Sequence, residues 1–222
     1  MPAWICDDTT ESAGYMKGLI KPALFLICLG PASWLCYGTV LSFTGGANLF
    51  GPDPAQFLAL QTGTWAIQML LAALAVTPLR YLFNSPFLWR FRRMLGLFAL
   101  FYTCLHFLVF LAFMLQWQWR ELGREISDRP YITVGFLAFL LLLPLGLTSF
   151  GYAQRKLGRR WKQLHGSVYV INILAVLHVA WIVRSSIADA LLYSSVVVML
   201  LGYRIFWHFS PRFRHFSLRP SR

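Results

Sequence analysis

The chain has 222 residues, of which 58% are hydrophobic and only 13% are charged, and its formal net charge is +12 at pH 7. Soluble globular domains rarely combine so low a charge with so much apolar surface, whereas membrane proteins commonly do. The positive charges are spread along the chain and form no single basic patch, so we expect no nucleic-acid partner.

Six apolar windows are long enough to cross a membrane. An α-helix needs about 20 apolar residues to cross a hydrocarbon core about 30 Å thick. The windows are about 22–43, 62–80, 94–117, 131–150, 164–184 and 187–207. The only acidic residue in any of them is Asp189, near the start of the last window. The polar residues before the first window lack the basic region of a signal peptide, so we expect this window to remain as a membrane helix.

The basic residues between the windows predict the orientation of the chain. If the amino terminus is cytoplasmic, 16 of the 20 Lys and Arg residues lie on the cytoplasmic side. The other four are Arg120, Arg124, Arg129 and Arg184. The positive-inside rule therefore predicts that both termini are cytoplasmic. The sequence indicates an all-α integral membrane protein with a polar cytoplasmic tail (1–17), a domain of six transmembrane helices (18–207) and a basic cytoplasmic tail (208–222).

Three histidines lie inside the predicted spans: His106 in the third, and His165 and His178 in the fifth. An ionisable residue inside a membrane span is a functional hypothesis by default. A simpler interpretation is an interhelical hydrogen bond, which contributes about 1 kcal/mol in a membrane. Three histidines on two spans that run in the same direction favour metal or haem ligation. His208 and His215, at the end of the last span or beyond it, are more typical of interfacial residues.

Depth in the membrane predicts which histidines pair. His106 lies 13 residues beyond Arg93 and His178 lies 16 residues beyond Lys162, a difference in depth of about 4.5 Å at 1.5 Å per residue. Haem iron takes its two axial ligands at nearly one height, so we predict that His106 and His178 bind one haem in the outer half of the membrane. His165 lies about 20 Å nearer the cytoplasm and is a candidate ligand for a second haem. On an ideal helix His165 and His178 would not share a face, and a tilt, a π-bulge or haems on different sides of the helix would each reconcile this.

Two arginines are candidate cofactor ligands of another kind. Arg92 precedes His106 by 14 residues and lies near the same helix face, but a permanently protonated guanidinium is a poor iron ligand. Arg92 and Arg93 are instead suited to bind haem propionates or a flavin phosphate. The alternative is that both only anchor the cytoplasmic side of the span.

Several phrases of the sequence resemble a known family. They are TGTWA at 62–66, RFRRMLGL at 90–97, RPYITVG at 129–135 and RKLGRRWKQLHGSVYVINILAVLH at 155–178. Together with the span that contains His106, they make residues 18–210 similar to the MsrQ (YedZ) family. This family comprises haem-binding membrane subunits of the bacterial methionine sulfoxide reductase system, within the ferric-reductase-like transmembrane superfamily.

The resemblance implies an electron carrier in the bacterial inner membrane. Such proteins take electrons from the quinone pool or a cytoplasmic flavin reductase and pass them to a periplasmic molybdopterin-containing catalytic subunit. That subunit reduces methionine sulfoxide in oxidised proteins, so the membrane subunit needs no substrate-reducing site of its own. The family's cofactors are haem b, one or two, and FMN, and its ligand histidines match His106, His165 and His178. Superfamily members with two full haem sites carry four such histidines, whereas this chain has Arg92 at the fourth place.

Two other functions are consistent with parts of the sequence. A stand-alone ferric or quinone reductase would use the same histidines, but such enzymes usually carry a cytoplasmic FAD/NAD domain. A metal or proton transporter would use the histidines as a relay, and the absence of carboxylates from the first five windows argues against a proton pathway. For a partner subunit, we expect the outer segments 44–61 and 118–130 to be the docking surface.

Overall fold

The computed structural model describes residues 8–45, 49–182 and 187–209, apart from the side chains of 8–18, 43 and 207–209. Over these ranges the regular structure is helical and contains no strand. Six helical segments are long and apolar enough to span a membrane, which confirms the predicted fold class. These segments are Leu19–Ser42, Pro54–Leu82, Pro86–Met114, Pro130–Leu147, Arg159–Trp181 and Ile187–Phe206. The cytoplasmic position of both termini stays a prediction.

Nine α-helices make up these segments and their connections in the part of the chain that the structure describes. They are α1 (Asp8–Phe43), α2 (Pro54–Leu82), α3 (Trp89–Val109), α4 (Trp119–Asp128), α5 (Pro130–Leu147), α6 (Gly151–Leu157), α7 (Arg159–Gly166), α8 (Val168–Trp181) and α9 (Ile187–Phe209). Of the predicted features, Arg184, His215, residues 1–7 of the polar tail and residues 210–222 of the basic tail lie outside the described residues. The side chain of His208, near the end of α9, lies outside them too.

The chain divides into two compact units, residues 1–62 and 63–222, with the boundary inside α2. In the first unit, α2 begins at Pro54, eight residues before the predicted window at 62. Asp53 accepts a hydrogen bond from the amide of Gln56 at 3.0 Å and so caps the helix, and Pro54 suits the first helical position. The start of α2 is set by this cap, which a hydropathy window does not detect. The predicted outer loop 44–61 is therefore partly helical.

In the second unit, α5 packs against both α3 and α8, and α8 packs against α9. The buried residues of α3 recur at helical spacing and define the face that packs inward. They are Phe91, Met94, Leu95, Phe98, Ala99, Tyr102 and Val109. His106 follows Tyr102 by four residues, so the same periodicity carries His106 onto this inward face.

The inward faces of α5 and α8 follow the same rule. On α5 the buried residues Ala138, Leu142 and Leu145 continue back to Gly135 at helical spacing. On α8 the fully buried Ile171 precedes His178 by seven residues, which is two turns of helix. Helical periodicity therefore directs His178 towards the faces on which His106 and Gly135 lie.

Close packing of α3 and α5 predicts one stability effect. A Cβ atom placed on Gly146 of α5 would overlap Cδ2 of Leu100, whereas Gly96 of α3 has no atom within 4 Å of such a Cβ. We expect Gly146→Ala to destabilise the folded protein by about 1–3 kcal/mol, because the overpacked helices must shift apart. Thermal unfolding of the detergent-purified protein measures this, with Gly96→Ala as the matched control. Equal melting temperatures for the two variants would contradict the prediction.

The predicted third and fifth spans differ from the observed helices at their starts. The third was predicted to begin at 94, but α3 begins at Trp89, so Arg92 and Arg93 lie within its first turns. The fifth was predicted to be one helix, but it consists of α7 and α8, separated at Ser167. There the Ser167 amide donates to the Leu164 carbonyl three residues back, at 3.1 Å. His165 and His178 therefore lie on different helices, and the rotation expected on one ideal helix does not apply.

The predicted outer loop 118–130 is largely helical as well. It contains α4, which follows a π-helical turn at Phe110–Met114 and two residues with positive φ, Gln116 and Trp117. Two ion pairs between residues four apart lie along α4 and its end, Arg124 with Asp128 at 3.6 Å and Arg129 with Glu125 at 3.1 Å. The charges of this segment are thus largely paired with one another.

Candidate metal centre

His106 of α3 and His178 of α8 lie side by side in the second unit. Their ring centroids are 6.3 Å apart, with an angle of 77° between the ring planes, and both side chains are half-buried. Two metal–nitrogen bonds of about 2 Å each, with about 1 Å from each nitrogen to its ring centroid, give a spacing of about 6 Å. The two imidazoles are therefore at the separation that one shared metal ion requires.

A hydrogen bond sets the tautomer of His178. Its Nδ1 lies 2.7 Å from the backbone carbonyl oxygen of Tyr131, on α5. A carbonyl oxygen only accepts, so Nδ1 carries the proton and donates it, and Nε2 of the neutral ring keeps its lone pair. Metal-binding histidines commonly donate their other ring N–H to a carbonyl in this way. Nε2 is thus the nitrogen of His178 that remains available to bind a metal.

Two glycines make room for the histidine rings. A Cβ atom on Gly135 would lie 2.6 Å from Nδ1 of His178, and one on Gly63 would lie 3.1 Å from Cε1 of His106. The first distance is incompatible with the observed ring position, and the second is tight. Glycine at these positions allows the backbones of α5 and α2 to lie directly against the two imidazoles.

The donor set favours one kind of metal group. Within the described residues, no cluster of three or more His, Cys, Asp and Glu side chains could hold a metal ion. A structural or catalytic zinc ion takes three or four protein ligands, which the histidine pair does not provide. Haem iron needs only axial ligands from the protein, because the porphyrin occupies its other positions. The residues present therefore fit a haem better than a bare metal ion.

The structure does not bring His165 together with the other two histidines. His165 stacks on Trp161, with centroids 4.0 Å apart, and its Nδ1 donates to the Trp161 carbonyl oxygen at 3.2 Å. The indole nitrogen of Trp161 donates in turn to the Thr148 carbonyl oxygen, at the end of α5, at 2.9 Å. His165 thus packs on the tryptophan that ties α7 to the end of α5.

The two predicted arginines lie in different surroundings. Arg92 is half-buried, packs against the Trp89 ring at 5.2 Å and lies within electrostatic range of His165. Arg93 is exposed. Arg92 also interacts electrostatically with Arg204, which comes from the far end of α9.

Sequence reasoning missed four contributors to these sites: Gly63, Gly135, the Tyr131 carbonyl and Arg204. A signal was present for the first three, since Gly63 lies in TGTWA, and Tyr131 and Gly135 lie in RPYITVG. Arg204 had been assigned to the basic cytoplasmic residues that set the orientation. Its position inside the last apolar segment was the signal that distinguished it.

A family model described as "Ferric reductase like transmembrane component" matches residues 62–176. The matched region contains Gly63, His106, Gly135 and His165 and ends two residues before His178. The six-helix fold and this match therefore identify the chain as a ferric-reductase-like transmembrane protein.

Curated relatives narrow this class. A protein from Xanthomonas euvesicatoria pv. vesicatoria (strain 85-10), named protein-methionine-sulfoxide reductase heme-binding subunit MsrQ, is 42% identical over 204 residues, 92% of each chain. Proteins of the same name are 42% identical in Xanthomonas campestris pv. campestris (strain 8004), over 86% of this chain and 88% of the relative, and 39% identical in Polaromonas naphthalenivorans (strain CJ2), over 98% and 96%. The chain belongs to the MsrQ family of ferric-reductase-like transmembrane proteins, and it is a multi-pass membrane protein.

Proposed function

We propose that this protein is a membrane b-type cytochrome that carries electrons across the bacterial inner membrane. It takes them from the quinone pool or a cytoplasmic flavin reductase and delivers them to a periplasmic molybdopterin-containing methionine sulfoxide reductase subunit. The partner then repairs oxidised methionines in periplasmic proteins, a reduction that needs an electron supply outside the cytoplasm.

The observation that carries this proposal is the histidine pair. The 6.3 Å separation of the His106 and His178 rings supports a single metal between them, and the Tyr131 carbonyl supports Nε2 ligation by His178. The relatives are named as heme-binding subunits, which supports haem as the metal group. When bound, haem b supplies a one-electron carrier.

The surrounding residues have three tasks in this function. Gly63 and Gly135 leave space for the two imidazoles, and the Tyr131 carbonyl holds the proton on Nδ1 of His178. Neighbouring aromatic rings, among them Phe107 stacked on Phe139 at 4.9 Å, keep this part of the protein apolar. Burial and second-shell hydrogen bonds of this kind tune the potential at which a haem accepts an electron.

The test of the proposal is a dithionite-reduced minus oxidised absorbance spectrum of the purified protein. We expect the bands of a low-spin b-type haem. A protein isolated from cells that make haem, yet without these bands, would overturn the proposal.

A second measurement tests the role of His165. We expect His165→Ala to keep the low-spin haem signal, because this ring stacks on Trp161, bonds to the Trp161 carbonyl of α7 and lies apart from the histidine pair. Loss of that signal to the same extent as in His106→Ala would contradict the pairing of His106 with His178. A partial loss of total haem with retention of the signal would assign a second haem to His165.

The alternative functions differ in measurable ways. A stand-alone ferric or quinone reductase would reduce its acceptor without the periplasmic subunit, whereas we expect no methionine sulfoxide reduction unless that subunit is added. A metal or proton transporter would work without haem.

FMN binding stays a prediction, as do the roles of Arg92 and Arg93 in it. Flavin fluorescence of the denatured, purified protein would test FMN binding.

A further inference from the structure

A second group of polar side chains lies where α3 begins and α9 ends. Its centre is the guanidinium of Arg204, which donates from Nη1 to the Tyr169 hydroxyl and from Nη2 to the Leu74 carbonyl at 3.1 Å and the Thr77 hydroxyl at 2.7 Å. The guanidinium carbon also lies 5.0 Å from the centre of the Tyr169 ring. The Nε–H is buried and has no hydrogen-bond partner. Two other helices, α2 and α8, thus hold Arg204 of α9 in one place, and one of its donors stays unused.

A second positive charge lies within electrostatic range of the first. Arg92 interacts electrostatically with Arg204 and with Tyr169, the same tyrosine that binds Arg204. Both arginines are half-buried in segments apolar enough to cross a membrane. Two like charges repel more strongly in such surroundings than in water, because the effective dielectric constant is lower.

No acidic side chain of the second unit is in position to compensate this pair. The unit has four acidic residues. They are Glu121, Glu125, Asp128 and Asp189. The first three follow α3 at the end opposite to Arg92, and Asp189 precedes Arg204 by 15 residues, about 22 Å along the helix. Both ion pairs found among the described residues belong to the segment around α4. Charged residues within membrane proteins pair with one another or with backbone carbonyls, and Arg204 bonds to the Leu74 carbonyl and two hydroxyls, so its positive charge and that of Arg92 have no negative charge in position to balance them within this unit.

We propose that Arg92 and Arg204 form a binding site for an oxyanion, a carboxylate or phosphate group carried by a membrane-embedded ligand. Guanidinium groups match both oxyanions through parallel N–H donors, and the Thr77 and Tyr169 hydroxyls fix the orientation of Arg204 for this task. Two sources have this chemistry: the propionate of a haem near His165, and the phosphate of an anionic lipid. The first source rests on the proposed function, and the second is independent of it.

Two pairs of probes separate the sources. Hemin and hemin dimethyl ester, which lacks free carboxylates, are titrated into haem-depleted protein and followed by absorbance. Phosphatidylglycerol and phosphatidylcholine are compared by native mass spectrometry of the protein released from nanodiscs. The variants are Arg204→Met, which removes the charge, Arg204→Lys, which keeps the charge without the planar fork, and Arg90→Met, an exposed arginine of α3, as the matched control.

We expect Arg204→Met to lower the affinity for one of the anionic probes, hemin or phosphatidylglycerol, at least about tenfold, because a charge-assisted hydrogen-bonding group is lost. The affinity for the matched probe without net negative charge should not change. Arg204→Lys should give an intermediate loss and Arg90→Met none. A selective effect on hemin assigns the carboxylate source, and a selective effect on phosphatidylglycerol assigns the phosphate source.

The proposal fails if Arg204→Met binds each of the four probes with the same affinity as the wild type does. The low-spin haem signal of the His106 and His178 pair reports whether Arg204→Met is folded. If Arg204→Met does not fold, Arg92→Met takes its place, and we expect it to show the same selective loss. If the wild type shows no haem bands at all, the proposed function fails. The lipid comparison then still decides whether the arginines bind an anion.

Discussion

His106→Ala and His178→Ala are each expected to remove the same low-spin haem signal, to the detection limit of the reduced-minus-oxidised spectrum. The ring separation of 6.3 Å fits two ligands of one iron, and if both rings bind that iron, as proposed, either substitution removes one of its two protein ligands. A haem that keeps only one axial histidine loses the spectrum of the low-spin state with two histidines and is bound less tightly. Haem per polypeptide, measured as the pyridine complex, completes the comparison.

A matched control for these substitutions is His165→Ala, which removes an imidazole from the neighbouring α7 and leaves the pair intact. If His106→Ala and His178→Ala removed different spectral components, each histidine would belong to a different haem. That outcome would overturn the pairing even though the rings are adjacent.

Gly135→Ala is expected to lower haem affinity by about 10–100-fold, the usual cost of disturbing the second shell of a metal ligand. The added methyl group would lie 2.6 Å from Nδ1 of His178, on the atom that bonds to the Tyr131 carbonyl. The ring must move to relieve this contact, so both the hydrogen bond and the direction of Nε2 change. Haem titration of the depleted protein measures the loss.

The chain offers a graded series of controls for this prediction. Gly63→Ala places its methyl group 3.1 Å from His106 and should have a smaller effect, and Gly96→Ala on α3 meets no atom within 4 Å and should have none. The expected order of haem affinity is Gly96→Ala above Gly63→Ala above Gly135→Ala. If all three variants bound haem as the wild type does, the glycines would have no role in positioning the histidines.

The features that depend on distance along a helix could be predicted from the sequence. Membrane thickness sets the minimum length of a span, so six apolar windows indicated six helices, and all six are present. The rise per residue is likewise constant, which is why the depths of His106 and His178 indicated that their rings would be neighbours. Their role as haem ligands stays a prediction.

Features that depend on local chemistry or on neighbouring helices could not be predicted in the same way. The Asp53 cap starts α2 early, and the turn at Ser167 divides the fifth span, yet neither changes the hydropathy. The need for Gly135 becomes visible only when α5 is known to pack against α8. The position of Arg204 inside the last apolar segment sets it apart from a cytoplasmic anchor, but its contacts with Thr77 and Tyr169 are visible only in the packed helices.

The paired histidines also bear on how a bound haem would respond to dioxygen and other small ligands. An iron with imidazole on both sides has no open coordination position, so dioxygen, carbon monoxide and cyanide have no place to bind. If His106 and His178 held one haem, as proposed, its iron would be closed to these small ligands.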